Sequence, residues 1–251
     1  RAEVYLTNSL AEPFDASSQL GFMADALADE GRGANRVKVD VPITVIIGNP
    51  PYSGHSMNAS KDVRGKPTWI GKLIQPYFFV DGAPLGERNS KWLNDDYVKF
   101  IRYAEALLEK SGKGIMSYIT NHSFLDSPTF RGMRQHLIKG SSSLYILDLH
   151  GNAKKKETAP DGSKDENVFD IQQGVSIFCV VKNKDAKNSI KIGDIFGERK
   201  VKLSNLSRKN IAQLSTNVLE PRSPFYMLMK SLTEEASEYF EWVGLSSIIK
   251  D

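Results

Sequence analysis

The chain has 251 residues, 40% hydrophobic and 25% charged, with a formal net charge of +3 and a single cysteine, Cys179. That is enough apolar chain for one large α/β domain or a domain and a half, and too small a net charge to indicate a partner. One cysteine excludes an internal disulfide and points to the cytoplasm; no apolar run approaches the ~20 residues of a membrane span, so no membrane partner is expected. The sequence opens on Arg1 and reads as a piece of a longer protein. Arg1 to Leu10 reads as a short strand ending in a polar turn. Ser17 to Asp29 has helical spacing, with Leu20, Met23, Ala24 and Leu27 on one face. Ile43 to Ile47 is a continuous β-branched run, the pattern of a parallel strand buried on both faces.

From Gly48 to Asn94 there is little periodicity, except over Trp69 to Val80. Asp95 to Lys110 is a strongly amphipathic helix with a stripe of Val98, Ile101, Ala104, Leu107 and Leu108, closed by Ser111-Gly112. Gly114 to Thr120 is a strand, Ser127 to Ile138 a helix opened by Pro128, and Leu144 to Leu149 another strand. Gly151 to Asn167 reads as a polar loop carrying Lys154, Lys155 and Lys156. Gly174 to Lys182 is a strand, with Ser189 to Ile195 expected to pair with it. Strands alternating with helices imply a mostly parallel sheet, which binds ligands beyond the carboxyl ends of its strands.

The motif Asn49-Pro50-Pro51-Tyr52 falls at one such end. Two prolines hold the backbone extended and remove two amide donors. Asn49 offers a side-chain acceptor, Pro50 a main-chain carbonyl of fixed direction, and Tyr52 a flat face. Two fixed acceptors beside a stacking ring suit a planar group carrying an NH₂. They bind that nitrogen more tightly as it becomes positive, which lowers the barrier to its alkylation.

These residues resemble the amino-methylating DNA methyltransferases of the N6-adenine class, whose catalytic motif is NPPY. Asn94 to Ala104, Gly114 to Leu125, Leu144 to Gly151 and Val168 to Ile177 are similar to further motifs in family order, especially in large single-chain restriction-modification enzymes. The resemblance implies a Rossmann-like S-adenosylmethionine-dependent sheet, mostly parallel with an antiparallel last strand and incomplete at the N-terminus. Residues 1–200 would be the later part of the catalytic domain, from about the third strand onward. Residues 201–251, with Pro221 to Trp242, would lead toward a target-recognition domain. The partner implied is duplex DNA with one adenine flipped out.

By the same resemblance, Asn49, Pro50, Pro51 and Tyr52 are catalytic, and Tyr52 and Phe169 hold the target base. Asn8, Ser9, Leu10 and Asn49 would contact the cofactor. The Gly-rich turn and the acid that hold the rest of S-adenosylmethionine precede the third strand in the family, and neither is found. The cofactor site is therefore expected to be incomplete and the piece inactive without the missing N-terminal segment. Lys61, Arg64 and Lys66 are candidates for DNA-backbone contact, and the four histidines are not spaced as metal ligands, so no metal is expected. The alternatives are a protein-glutamine or RNA amino-methyltransferase, whose substrate is also a planar NH₂, or a DNA-binding module without catalysis.

Overall fold

The computed structural model describes residues 3–13, 25–52, 54, 56–87, 90–183 and 189–230. It begins with helix α1 (Asp25–Val39) and strand β1 (Val45–Gly48). Helix α2 (Trp69–Leu73), a 3-10 turn over Gln75–Phe78 and the two-stranded ribbon β2 (Phe79–Val80) and β3 (Ala83–Pro84) follow. Next come α3 (Asp96–Ser111), β4 (Gly114–Asn121), α4 (Arg131–Gly140) and β5 (Ser143–Asp148). The chain continues through β6 (Val175–Lys182), β7 (Ser189–Asp194), α5 (Arg199–Arg208), α6 (Ile211–Leu214) and β8 (Asn217–Leu219).

Six strands form one sheet in the order β1-β4-β6-β5-β7-β8. β1, β4, β5 and β7 run one way, and β6 and β8 run against them. The antiparallel β6 lies between β4 and β5, hydrogen-bonded to both. The expected pairing of Ser189 to Ile195 with Gly174 to Lys182 is not found. β6 already has a partner on each side, so β7 pairs in parallel with the free edge of β5.

Alternate residues of each strand feed two cores, as the pleat requires. Met116, Tyr118, Leu144, Ile146, Phe178 and Val180 join Val98, Ile101 and Leu108 of α3 and Met133 and Leu137 of α4. Ile119, Leu147 and Ile177 face the other way, toward Leu206 of α5 and Leu214 of α6. The α3 stripe is buried at Val98, Ile101, Ala104 and Leu108, while Leu107 is partly exposed and lines a cavity beside β1; Gly112, at φ 71°, closes the helix in the left-handed conformation that glycine adopts without cost.

Two sequence expectations change at the N-terminal side. Val4 and Leu6 are 88% and 85% exposed and belong to no strand. β1 is not buried on both faces: it pairs with β4 alone among the described residues, and Ile47 is 81% exposed. An apolar β-branched strand with one open edge is built to be flanked. Of the expected Ser17–Asp29 helix, residues 17–24 lie outside the described residues; α1 runs ten residues beyond Asp29.

The expected boundary at residue 200 falls within α5, and the same sheet and core continue past it through β8 and Leu228. Arg134, wholly buried on α4, anchors that C-terminal stretch: its guanidinium donates to the carbonyls of Phe124, Ser127 and Phe225 at 2.6 to 2.9 Å.

Candidate active site at the carboxyl end of the sheet

The carboxyl ends of β1, β4 and β5 and the amino end of β6 lie together in the register of the sheet. Gly48 ends β1 close against Tyr118: a Cβ there would sit 2.7 Å from that ring, so the approach requires glycine. The next four residues carry the motif. Asn49 is exposed and Pro50 buried, and Tyr52 is half-buried against both cores. Burial raises the Tyr52 hydroxyl pKa, so the ring stays neutral near pH 7.

A cavity of about 630 Å³ opens over the motif, lined by Asn49, Pro50, Pro51 and Tyr52 together with Phe169, Gln172, Gln173 and Lys154. The structure thus brings the expected target-base residues Tyr52 and Phe169 to one cavity. Lys154 joins them from the basic run, whereas Lys155 is paired with Asp126 at 2.9 Å.

Phe169 is held by residues that sequence reasoning did not assign. Asn167 Oδ1 accepts from the Phe169 amide at 2.9 Å, and its Nδ2 donates to the carbonyls of Gly151 and Gln173. Arg199, at the start of α5, donates to the carbonyls of Asn167 and Phe169 at 2.8 and 3.0 Å. Beneath them Asp165 accepts from the amides of Gly151 and Gly197 at 2.6 and 2.7 Å. It pairs with Lys202 at 2.7 Å, both side chains being fully buried, and Lys202 also donates to the Leu149 carbonyl.

His122 and His150 stand at the ends of β4 and β5 and form a second buried network. His122 Nδ1 is 3.0 Å from Asp148 and its Nε2 3.1 Å from Asn152. His150 lies between Glu157 at 2.7 Å and Asp194 at 3.0 Å. Among the described residues, the groups His122–His150–Glu157 and Asp148–His150–Asp194 each gather ligand-type atoms within 4.8 Å, which sequence spacing did not show. Both ring nitrogens of His150 are taken by carboxylates, so the groups read as an ion-pair network.

Burial alone would lower the His150 pKa, but the hydrogen bonds to Asp194 and Glu157 and the charge of Asp148 raise it to about 9. Burial opposes the ionised Glu157 likewise, yet His150 and the Asn152 amide bring it to about 2. The stability due to His150 is fully present below its ordinary value of 6.5 and is lost as pH rises through about 9. That due to Glu157 is present above 4.5 and is lost as pH falls through about 2. The loop over residues 151–167 is therefore expected to loosen above neutrality. His150→Asn, which tolerates the φ of 52° at this position, should flatten the fall in thermal midpoint between pH 6.5 and 9. An unchanged slope in that variant would count against the clamp.

The expected cofactor residues are less united. Asn8 Nδ2 donates to Asn58 at 2.7 Å, and Leu10 is buried. Ser9 lines a separate cavity of about 350 Å³ with Tyr5, Lys38, Ile46 and Ile47, while Asn49 lines the motif cavity. Lys38 donates to the Asn8 carbonyl at 2.7 Å, and burial lowers its pKa. Lys61, Arg64 and Lys66 lie on an exposed turn organised by Asp62, which accepts from the Arg64 and Lys66 amides at 2.8 Å. None of the three lines the motif cavity. Among the aromatic residues between Trp69 and Val80, Tyr77 is wholly buried in the core, and Trp69 packs edge-on against Tyr103 at 5.6 Å.

Residues 25–154, more than half of the chain, match the family of the Eco57I restriction-modification methylase. The chain belongs to that family. Among solved structures, this methylase-family chain is similar to the ATP-dependent Type ISP restriction-modification enzyme LlaBIII bound to DNA. The identity is 26%, covering 92% of this chain and 16% of that one, with a TM-score of 0.67. It is also similar to a DrdV-DNA complex, at 28% identity over 79% of this chain and 19% of that one, TM-score 0.63. The fold is shared with a nuclease-deletion mutant of the Type ISP enzyme LlaGI in complex with a DNA substrate mimic, at 24% identity over 85% and 17% of the two chains, TM-score 0.65. This chain thus spans less than a fifth of each of those proteins. No curated protein matches it at a comparable level.

Proposed function

We propose that this chain is the later part of a DNA adenine N6-methyltransferase within a restriction-modification enzyme. The observation that carries this reading is one cavity lined by Asn49, Pro50 and Tyr52 together with Phe169. A flipped adenine stacks on Tyr52 and packs against Phe169, while the Asn49 side chain and the Pro50 carbonyl accept from its amine. The amine nitrogen forms the new N–C bond as the C–S bond of a sulfonium methyl donor breaks, and the nitrogen releases a proton to water. Stabilising the developing charge on nitrogen is the contribution of Asn49 and Pro50. Sequence relatives and DNA-bound structural neighbours support the DNA substrate.

S-adenosylmethionine is the donor this reading calls for, supplying an electrophilic methyl group. Among the described residues Ser9, which lines the cavity beside β1, is the candidate for its heterocyclic end, while the Asn8 side chain is bonded to Asn58 and to the Leu10 amide. The described residues around β1 show neither a Gly-rich amide cradle for a carboxylate nor an acid for ribose hydroxyls. The open edge of β1 and the exposed Ile47 are where further strands would add. On this reading the described sheet and core, through β8 and Leu228, supply the base-holding half of a catalytic domain in the cytoplasm, and the chain leads on toward target recognition beyond them; residues 231–251 lie outside the described residues.

The test uses the full-length natural protein, duplex DNA and labelled S-adenosylmethionine, with nucleoside analysis of the product. Label in N6-methyladenine is expected. A folded, cofactor-binding protein that labels RNA or a protein glutamine instead would replace this reading.

A further inference from the structure

The chain leaving the motif is tied to the start of α3. Asp95, which precedes that helix, accepts from the amide of Gly54 at 3.1 Å. Asp96 Oδ1 accepts from the Ser56 hydroxyl and, at 3.2 Å, from the Asn58 side-chain amide. Lys99, one turn on and 1% exposed, donates to the same hydroxyl at 2.7 Å and to the Asn58 carbonyl at 2.5 Å. Burying an ammonium is costly, and an apolar side chain of similar length would fill the space without that cost. Lys99 makes no direct ion pair among the described residues; it spends its charge on two oxygens of the loop. The loop also reaches toward β1. Asn58 Oδ1 accepts from Asn8 Nδ2 at 2.7 Å, and the next residue, Ser9, lines the cavity beside β1.

We propose that Lys99 and Asp96 are positioning residues for methyl transfer: by fixing Ser56 and Asn58 they set the path of the chain leaving Tyr52 and lock it to the turn that carries Ser9. The inference rests on the function proposed above. Neither residue lines the motif cavity, so both act through the loop and not on the base. On that reading the base lies against Tyr52 and the methyl donor lies toward Ser9. The network Lys99–Ser56–Asn58–Asn8 is the hydrogen-bonded link between the two. Transfer requires the reacting atoms to be aligned at about 3–3.5 Å, and a displacement of about 1 Å costs about 10²-fold.

The test measures kcat, and KM for duplex DNA and for S-adenosylmethionine, on full-length variants that circular dichroism shows to be folded at the assay temperature. Lys99→Met keeps the bulk and removes both donors. Its kcat should fall about 10- to 100-fold, with each KM within about threefold of wild type. Ser56→Ala cuts the same link from the loop side and should cost about tenfold in kcat. The double variant should lose little more than Lys99→Met alone, because both changes remove one interaction. Asp96→Asn, which keeps an acceptor, should retain most of the turnover that Asp96→Ala loses. Wild-type kcat in folded Lys99→Met and Ser56→Ala, with only the melting temperature lowered, would overturn the proposal while leaving the methylase reading intact. If Lys99→Met does not fold, the same outcome in Ser56→Ala and Asp96→Ala overturns it equally. No methyladenine from folded wild type would remove both.

Discussion

Asn49→Ala in the full-length protein should lower the rate of methyl transfer by about 10²- to 10³-fold, the usual cost of deleting one preorganised group that stabilises developing charge. The side chain is exposed at the end of β1, so its removal should shift stability by no more than about 0.5 kcal/mol. On the proposed mechanism Asn49 binds the amine more tightly as nitrogen becomes positive, so the loss should fall mainly on turnover at saturating DNA and little on DNA affinity. A rise in the apparent binding constant with unchanged turnover would instead assign Asn49 to ground-state binding.

The second large effect concerns stability. Lys202→Met strands the buried Asp165 carboxylate, which still accepts from the amides of Gly151 and Gly197 but loses its countercharge. Breaking one partner of a fully buried ion pair costs about 3–5 kcal/mol, and urea unfolding would read the loss directly. Adding Asp165→Asn should restore part of it, because the uncompensated charge is gone and an amide oxygen remains for one of the two backbone donors. Because Asp165 and Arg199 together fix the segment that presents Phe169, the single variant should also lower methyl transfer below what its folded fraction explains. A loss under about 1 kcal/mol would mean that water reaches the pair.

Periodicity and punctuation made the framework legible. The helix at Asp96 to Ser111 shows its stripe and its glycine stop in sequence, and β4, β5 and β6 are apolar runs bounded by turns. The lining of the motif cavity was legible through Asn49 to Tyr52, whose residue types carry the chemistry, and through Phe169 by family resemblance. The supports were not. Lys202 lies in RKVKLSNLSR, which reads as a solvated helix, and only long-range packing buries it. Asn167 and Arg199 act through hydrogen bonds to backbone that no spacing reveals. Strand partners were misjudged where a choice of neighbours existed: β7 goes to β5, and Val4 to Leu6 finds no strand to join.

Synthesis time follows from the way Phe169 is held. The motif leaves the ribosome with Asn49, but the segment carrying Phe169 is fully fixed only once Arg199 and Lys202 have joined Asn167 and Asp165. At about 5–20 residues per second, Lys202 emerges about 8–30 s after Asn49. A nascent chain stalled anywhere in that interval carries the complete motif but lacks the side chains of α5 that fix the Phe169 segment.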